Sequence, residues 1–250
     1  MATAELFEIP YSPDWGYERS FFLDNEHRYT KMHRLLRERV GSLDRKRILD
    51  LGCCRGLLLE RFRRYEGVEL GALELDPAEA ELAETRGLRP VREQIHRLED
   101  GHLVARLPFA DESADVVLAG EILEHIVDTA GFLSEIRRVL SPRGAVVLST
   151  PNILWWKHRL ALLAGRYPDA LDYRVQYGAD LGHVRLFGPE QLRSLLEETG
   201  FGDVVVVGKR LGPTASLAST PRFVARFLDA TADRLPALSD NLIAFARRPG

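Results

Sequence analysis

Ile48-Leu49-Asp50-Leu51-Gly52-Cys53-Cys54-Arg55-Gly56 reads as a short buried strand, a turn carrying two glycines and the start of a helix. Gly52 permits the tight turn, and Gly56 lets helix and strand pack closely. The free backbone N–H groups of the turn face a ligand. Outward from this stretch the pattern repeats. A helix is expected from about Leu57 to Arg64 and a strand from Val68 to Leu75. Asp76-Pro77-Ala78-Glu79 then opens a helix with an N-cap, a proline in the first turn and a capping-box glutamate, and Gly87 ends it. Ala114–Ala119 is a strand, and Asp128–Leu140 a helix with Phe132, Leu133, Ile136, Val139 and Leu140 on one face, stopped by Pro142. Gly144–Ser149, Asp203–Val207 and Leu242–Ala246 are further strands, with a helix from Pro189 to Thr199 closed by Gly200. Such alternation predicts an α/β fold, a doubly wound parallel sheet with helices on both faces. Ligands bind such sheets beyond the carboxyl ends of the strands. That edge holds Asp50–Gly56, Glu74–Asp76, Gly120–His125 and Thr150–Asn152. The stretches 153–188 and 211–236 interrupt the alternation and are long enough to be lids.

The chain has 250 residues, which fits one domain with modest additions: an N-terminal arm and cap helix over 1–44 and the sheet domain over 45–250. Residues 1–20 carry Tyr11, Trp15 and Tyr17 among prolines and read as a turn-rich arm, unlike a signal peptide. Residues 21–40 read as a helix, with Phe22, Tyr29, Met32, Leu35, Leu36 and Val40 in one stripe. Hydrophobic residues at 45% and charged residues at 28% exclude a disordered or collagen-like chain. A net charge of −3 supplies no global field for nucleic acid or an anionic membrane. No apolar run is long enough to span a bilayer. The two cysteines, Cys53 and Cys54, are adjacent and cannot staple a long loop, so a reducing cytoplasm is the expected compartment. Arg61, Arg63 and Arg64 read as a solvated helix surface.

Glu74 lies at the end of the second strand. A carboxylate there accepts hydrogen bonds from both hydroxyls of a ribose, so the glycine turn and this acid together point to a nucleotide cofactor. Glu121, Glu124 and His125 follow the third strand directly and, at helical spacing, share one face of a turn. Two carboxylates and an imidazole at a ligand edge make an acid–base group or three ligands of a divalent cation. The competing reading is the solvated face of a short amphipathic helix.

The stretch around Asp50 resembles the first motif of class I S-adenosylmethionine-dependent methyltransferases. Glu74-Leu75-Asp76-Pro77, Leu107 to Asp115, Glu121 to His125 and Leu140 to Gly144 match further motifs in order. The resemblance covers about residues 45–152 and resumes at 183–247. It implies a Rossmann-like sheet of seven strands with the last antiparallel, and S-adenosylmethionine as cofactor. It places Asp50 and Gly52 beside the methionine moiety, Glu74 on the ribose and Leu107 near the adenine, with Cys54, Gly56, Leu75 and Gly120 completing the cradle. The family's adenine-contacting acid falls to Glu93 or Asp100. Cys54 stands where the family often has glycine, which raises a backbone strain penalty. Glu-x-x-Glu-His is similar to the metal-ligand stretch of ubiquinone-pathway O-methyltransferases and small-RNA terminal 2′-O-methyltransferases. The likeness implies Mg²⁺ on Glu121, Glu124, His125 and His183. Without a metal, His125 or His183 serves as general base beside Glu121.

The leading expectation is O-methylation of a small hydroxylated molecule, a phenol or a sugar. RNA 2′-O-methylation is disfavoured by the charge, so no nucleic-acid partner is expected. N-methylation, with Glu121 orienting an amine, and a degenerate binding subunit are the other readings. Tyr11, Trp15, Tyr17, Trp155, Trp156, Tyr167, Tyr173 and Tyr177 lie outside the core pattern, to stack on an acceptor or to glue the cap to the sheet. Pro221–Leu235 reads as a lid or a homodimer surface.

Overall fold

The structure is a computed structural model that describes residues 19–168, 182–211 and 221–250. Tyr11, Trp15, Tyr17, Tyr173 and Tyr177 lie outside the described residues. Helix α1 (Arg19–Val40) precedes β1 (Arg47–Leu51), α2 (Leu57–Glu60), β2 (Glu69–Leu73) and α3 (Pro77–Thr85). A small hairpin, β3 (His96–Glu99) and β4 (His102–Ala105), leads to β5 (Ala114–Gly120), α4 (Thr129–Val139) and β6 (Leu140–Pro151). Then come α5 (Trp156–Leu163), α6 (Pro189–Glu198), β7 (Gly202–Gly208), α7 (Arg222–Arg234) and β8 (Asn241–Arg247).

Among the described residues six strands form the main sheet, in the order β2-β1-β5-β6-β8-β7, and of these β8 alone runs against the others. The side chains of β5 show why two helical layers are needed. Val117 and Ala119 enter one core with α4 and α6, while Val116 and Leu118 enter the other with α1 and α2. A two-residue period with both faces apolar must be covered on both sides. Local signals also hold: Asp76 caps α3 by accepting from the N–H groups of Ala78 and Glu79, and Asp128 caps α4 by accepting from Gly131.

The place of a seventh strand beside β2 is filled by one parallel bridge, Leu73 to Val91. Val91 donates to the Ala72 carbonyl (2.9 Å) and accepts from the Glu74 N–H (3.1 Å). Pro90 before it has no N–H to give, and Arg92, Glu93 and Gln94 after it are exposed, so the ladder stops. The chain turns instead into the β3–β4 hairpin, whose turn is Asp100-Gly101 with φ of 49° and 79°. Both angles are those of a tight hairpin turn for which Asp-Gly is the favoured pair.

Arg61 corrects an expectation. Its side chain is fully buried, paired with the buried Glu26 of α1 and donating to the Leu57 carbonyl at 2.6 Å. The guanidinium also lies 5.1 Å from the Tyr29 ring centre. Arg63 and Arg64 remain exposed as expected, Arg63 pairing with Glu60. Helix α1 covers Arg61, and that long-range packing is absent from the local pattern.

Helix α1 is also fastened to α7. His27 Nε2 lies 3.2 Å from Asp229, and Lys31 Nζ lies 2.6 Å from Asp233 and donates to the Lys209 carbonyl at 3.1 Å. These contacts hold the stretch of α1 around His27 and Lys31 at the carboxyl edge of the sheet, where Arg28 reaches the site.

Candidate active site

The glycine turn after β1 is held by β2. The N–H groups of Gly52 and Cys53 both donate to the Leu73 carbonyl, at 2.9 and 3.0 Å. Gly52 and Gly56 have φ of 74° and 77°, which side chains rarely tolerate. At Gly56 a Cβ would also stand 2.3 Å from Leu88 Cδ1, so a side chain there would displace Leu88 from its place against the turn. Cys54 has φ 47°, so the position does carry the left-handed conformation that a glycine relieves.

Glu74 is buried and closes the turn. Its Oε2 accepts from the Cys54 N–H at 2.7 Å and its Oε1 from the Asp76 N–H at 2.9 Å. One carboxylate thereby spans the first and second strand ends, with each oxygen keeping a further lone pair for a hydroxyl donor. Leu75, the next residue, is an exposed apolar side chain beside it. Gly120 has room around it, the nearest atom to an added Cβ being Ser149 Oγ at 3.8 Å. Leu107 is buried in the main core, its N–H donating to Glu135 at 3.0 Å and its carbonyl accepting from Arg138. Of the two candidate adenine acids, Glu93 pairs with Arg97 and Asp100 makes the hairpin turn.

Asp50 is buried at the end of β1. Burial and the neighbouring Glu74 carboxylate push its pKa up to about 8 against the opposing pull of Arg28. The folded state therefore keeps a proton on Asp50 that the unfolded chain releases, so this group's contribution to stability is greatest in acid and falls as pH rises from 3.8 to about 8. Glu74, also raised by burial, acts in the same direction. Asp50→Asn is expected to flatten this slope in the apoprotein; urea melts across that pH range would show it. An unchanged slope would exclude Asp50 as its source.

Glu121, Glu124 and His125 do not share one face. The turn is a tight three-residue helix, Leu123–His125, and Glu121 before it has φ 55°. Glu121 is thereby directed to other partners: Arg28 Nη1 at 3.1 Å, the Ser149 hydroxyl at 2.8 Å and Asn241 Nδ2 at 2.7 Å. Glu124 and His125 are brought instead to His183, all three offering ligand atoms within 4.8 Å of one another. The His125 and His183 rings meet edge-on, 5.0 Å between centres.

The segment bearing His183 is tied in by Val184, whose N–H donates to the Glu124 carbonyl at 2.9 Å. His125 Nδ1 lies 3.0 Å from the Gly182 carbonyl, which can only accept, so the proton sits on Nδ1 and Nε2 is the ligand atom of the neutral ring. Glu124 is fully buried. Its Oε2 accepts from the Thr150 hydroxyl at 3.0 Å, while Oε1 is buried with no hydrogen-bond partner among the described residues. Burial and the nearby Glu121 carboxylate raise its pKa well above the usual range. Such a carboxylate is costly unless a proton or a cation meets it. Two imidazoles and an oxygen donor, steadied by a backbone carbonyl and a hydroxyl, fit a divalent ion.

Sequence reasoning placed Thr150 at the ligand edge without a role there, and missed Arg28, Ser149 and Asn241. Ser149 ends the expected strand, but Arg28 and Asn241 arrive from α1 and β8. Charges at 26, 27, 28 and 31 interrupt the apolar stripe of α1, and all four side chains are buried. That interruption was the available signal.

The sequence family described as "Methyltransferase domain" matches residues 25–206. The ubiquinone biosynthesis O-methyltransferase of Bradyrhizobium sp. (strain ORS 278) is 34% identical over 135 residues, 51% of this chain and 49% of that protein. A probable S-adenosylmethionine-dependent methyltransferase of Mycolicibacterium smegmatis is 32% identical over 184 residues, 72% of this chain and 61% of that one. The chain thus spans about half to three-fifths of the length of these relatives. The crystal structure of an S-adenosylmethionine-dependent methyltransferase from Mesorhizobium loti superposes with a TM-score of 0.62 at 19% identity, covering 90% of this chain and 100% of that chain.

Proposed function

The chain belongs to the methyltransferase-domain family, and on that premise we propose that it transfers a methyl group from S-adenosylmethionine to a hydroxyl oxygen of a small molecule. Two relatives are named in this sense, an O-methyltransferase and an S-adenosylmethionine-dependent methyltransferase. The observation that carries the reading is the cluster of Glu124, His125 and His183 at the same strand edge as the glycine turn and Glu74. A hydroxyl acceptor must lose a proton as it reacts, and an imidazole is the side chain best matched to take it at neutral pH. An amine acceptor needs only orientation by a carboxylate, which would leave two imidazoles and a buried carboxylate without a task.

S-adenosylmethionine supplies an electrophilic methyl group on a sulfonium. The chain's part is to hold both reactants in line and to manage the proton. Glu74 accepts from the ribose hydroxyls while fixing the turn whose N–H groups face the ligand. Arg28, braced by Glu121, offers a cation for a carboxylate, and Asp50 sits beneath the turn. His125 or His183 receives the acceptor's proton. With Mg²⁺ or a similar ion on Glu124, His125 and His183, that hydroxyl would be held and acidified before it reacts.

Glu124→Gln is expected to lower kcat/KM toward phenolic or sugar hydroxyls by about 100-fold or more. Steady-state assays of the purified protein, with and without chelator, test this. Activity indifferent to the chelator removes the ion and leaves the imidazole as base. Activity indifferent to Glu124→Gln removes the cluster from the reaction. Absence of heat on titration with S-adenosylhomocysteine would overturn the whole reading in favour of a binding subunit.

A further inference from the structure

Helix α5 shows to solvent what an eight-residue helix usually hides. His158 is its one buried residue. Leu163 is 84% exposed, and Trp156, Leu160, Leu162 and the following Tyr167 are exposed with it. The run from Leu154 to Tyr167 holds Lys157, Arg159 and Arg166 and no acidic residue, in a chain whose net charge is −3. Lys157 Nζ lies 4.7 Å from the Trp155 ring centre and 5.7 Å from that of Trp156. The start of α7 repeats the composition: Phe223 and Phe227, one turn apart, are 74% and 69% exposed. Arg226 is exposed between them, and no acid occurs before Asp229.

Topology puts both elements at one edge. The register pairs Pro151 with Asn241 and Gly208 with Leu242, so β6 ends, β7 ends and β8 begins at the carboxyl edge of the parallel strands. Helix α5 follows β6 there, and α7 lies between β7 and β8. Arg159 ties the two regions by donating to the Ala237 carbonyl, just beyond α7, at 3.3 Å.

Exposed aliphatic and aromatic side chains interleaved only with cations are the composition of elements that lie in a lipid headgroup layer. Tryptophan and tyrosine settle at that level, and lysine and arginine meet anionic lipid. A second copy of the chain fits less well. Two-fold contact through this patch would bring its cations against their own equivalents with no acids to meet them. We propose that α5 and the first turns of α7 dock the protein on the surface of an anionic bilayer, with the carboxyl edge of the sheet facing the membrane. No described helix is long and apolar enough to cross a membrane, so the contact is peripheral. The weak acidic charge of the whole chain is no obstacle, because attraction acts over about 8 Å at physiological salt and only the local cations count. This inference is independent of the methyl-transfer reading.

The test is co-sedimentation of the full chain at physiological salt with phosphatidylcholine–phosphatidylglycerol vesicles and with pure phosphatidylcholine vesicles. Binding is expected to the mixed vesicles, with a blue shift of tryptophan emission. K157E/R166E is expected to weaken binding about twentyfold, since each basic side chain near an anionic surface contributes roughly a fivefold factor. Leu163→Asp and Phe227→Asp are expected to weaken it tenfold or more with unchanged melting temperatures, because both positions are exposed. No partition, or partition equal for both vesicle types and all variants, overturns the proposal. So does a dimer on size exclusion that Leu163→Asp converts to monomer without any vesicle binding.

Discussion

Arg61→Ala is expected to lower the free energy of unfolding by about 3–5 kcal/mol, the range for removing one partner of a buried ion pair. Glu26 would be left as a charged carboxylate at 2% exposure with its principal cation gone. The Leu57 carbonyl would lose a donor and the Tyr29 ring a cation. Against a typical total of about 5–15 kcal/mol, this single change removes a large share of stability. Urea melts of the apoprotein measure it as a lower midpoint with little change in slope. The paired replacement of Arg61 by Met and Glu26 by Leu is expected to recover most of the loss, because the pair's own desolvation is then no longer required. If Arg61→Ala melts like the parent, the α1–α2 contact contributes little and α1 is held by its apolar stripe and α7 instead.

Arg61 also marks where the sequence stops being legible. The central core elements declare themselves locally: β5 by the apolar run Val116–Ala119, α3 by Asp76-Pro77 and α4 by its apolar face. The cofactor turn and Glu74 are legible for the same reason, since a turn, a strand end and the residue beyond it are set by short-range rules. What α1 does is set by packing against α2, α7 and β8. From within the helix, a buried arginine and a solvated one look alike. The β3–β4 hairpin is legible in principle through Asp100-Gly101, a pair that favours a tight two-residue turn.

The grouping at the reacting end differs from the sequence expectation in one member, Glu121, for a different reason. Helical spacing puts Glu121 with Glu124 and His125, but a positive φ at Glu121 breaks the helix before it starts. Nothing in the residue type announces that angle. Nor does spacing reveal that Thr150 holds one oxygen of Glu124 while the other is left buried and unpaired among the described residues. Those facts depend on β6 lying beside β5. His183, expected to join the site from a distant segment, lies there because Val184 is hydrogen-bonded to the Glu124 carbonyl.

On the function proposed above, Glu74→Gln is expected to weaken binding of S-adenosylhomocysteine by about 100-fold or more, since a hydrogen bond to a charged group contributes about 1.5–3 kcal/mol and a ribose offers two. The amide has one accepting oxygen where the carboxylate has two. Its NH₂ must then face the N–H of either Cys54 or Asp76, donor against donor, so the turn also loses half its closure. Stability moves less than affinity, because the same change relieves the burial of a charge beside Asp50. That contrast separates a ligand-holding role from a structural one. Calorimetric titration reads the affinity and thermal unfolding of the apoprotein reads the fold, with Glu84→Gln, an exposed partner of Arg92, as the neutral control. Equal losses in both readings would make Glu74 a strut of the turn rather than a ligand of the ribose.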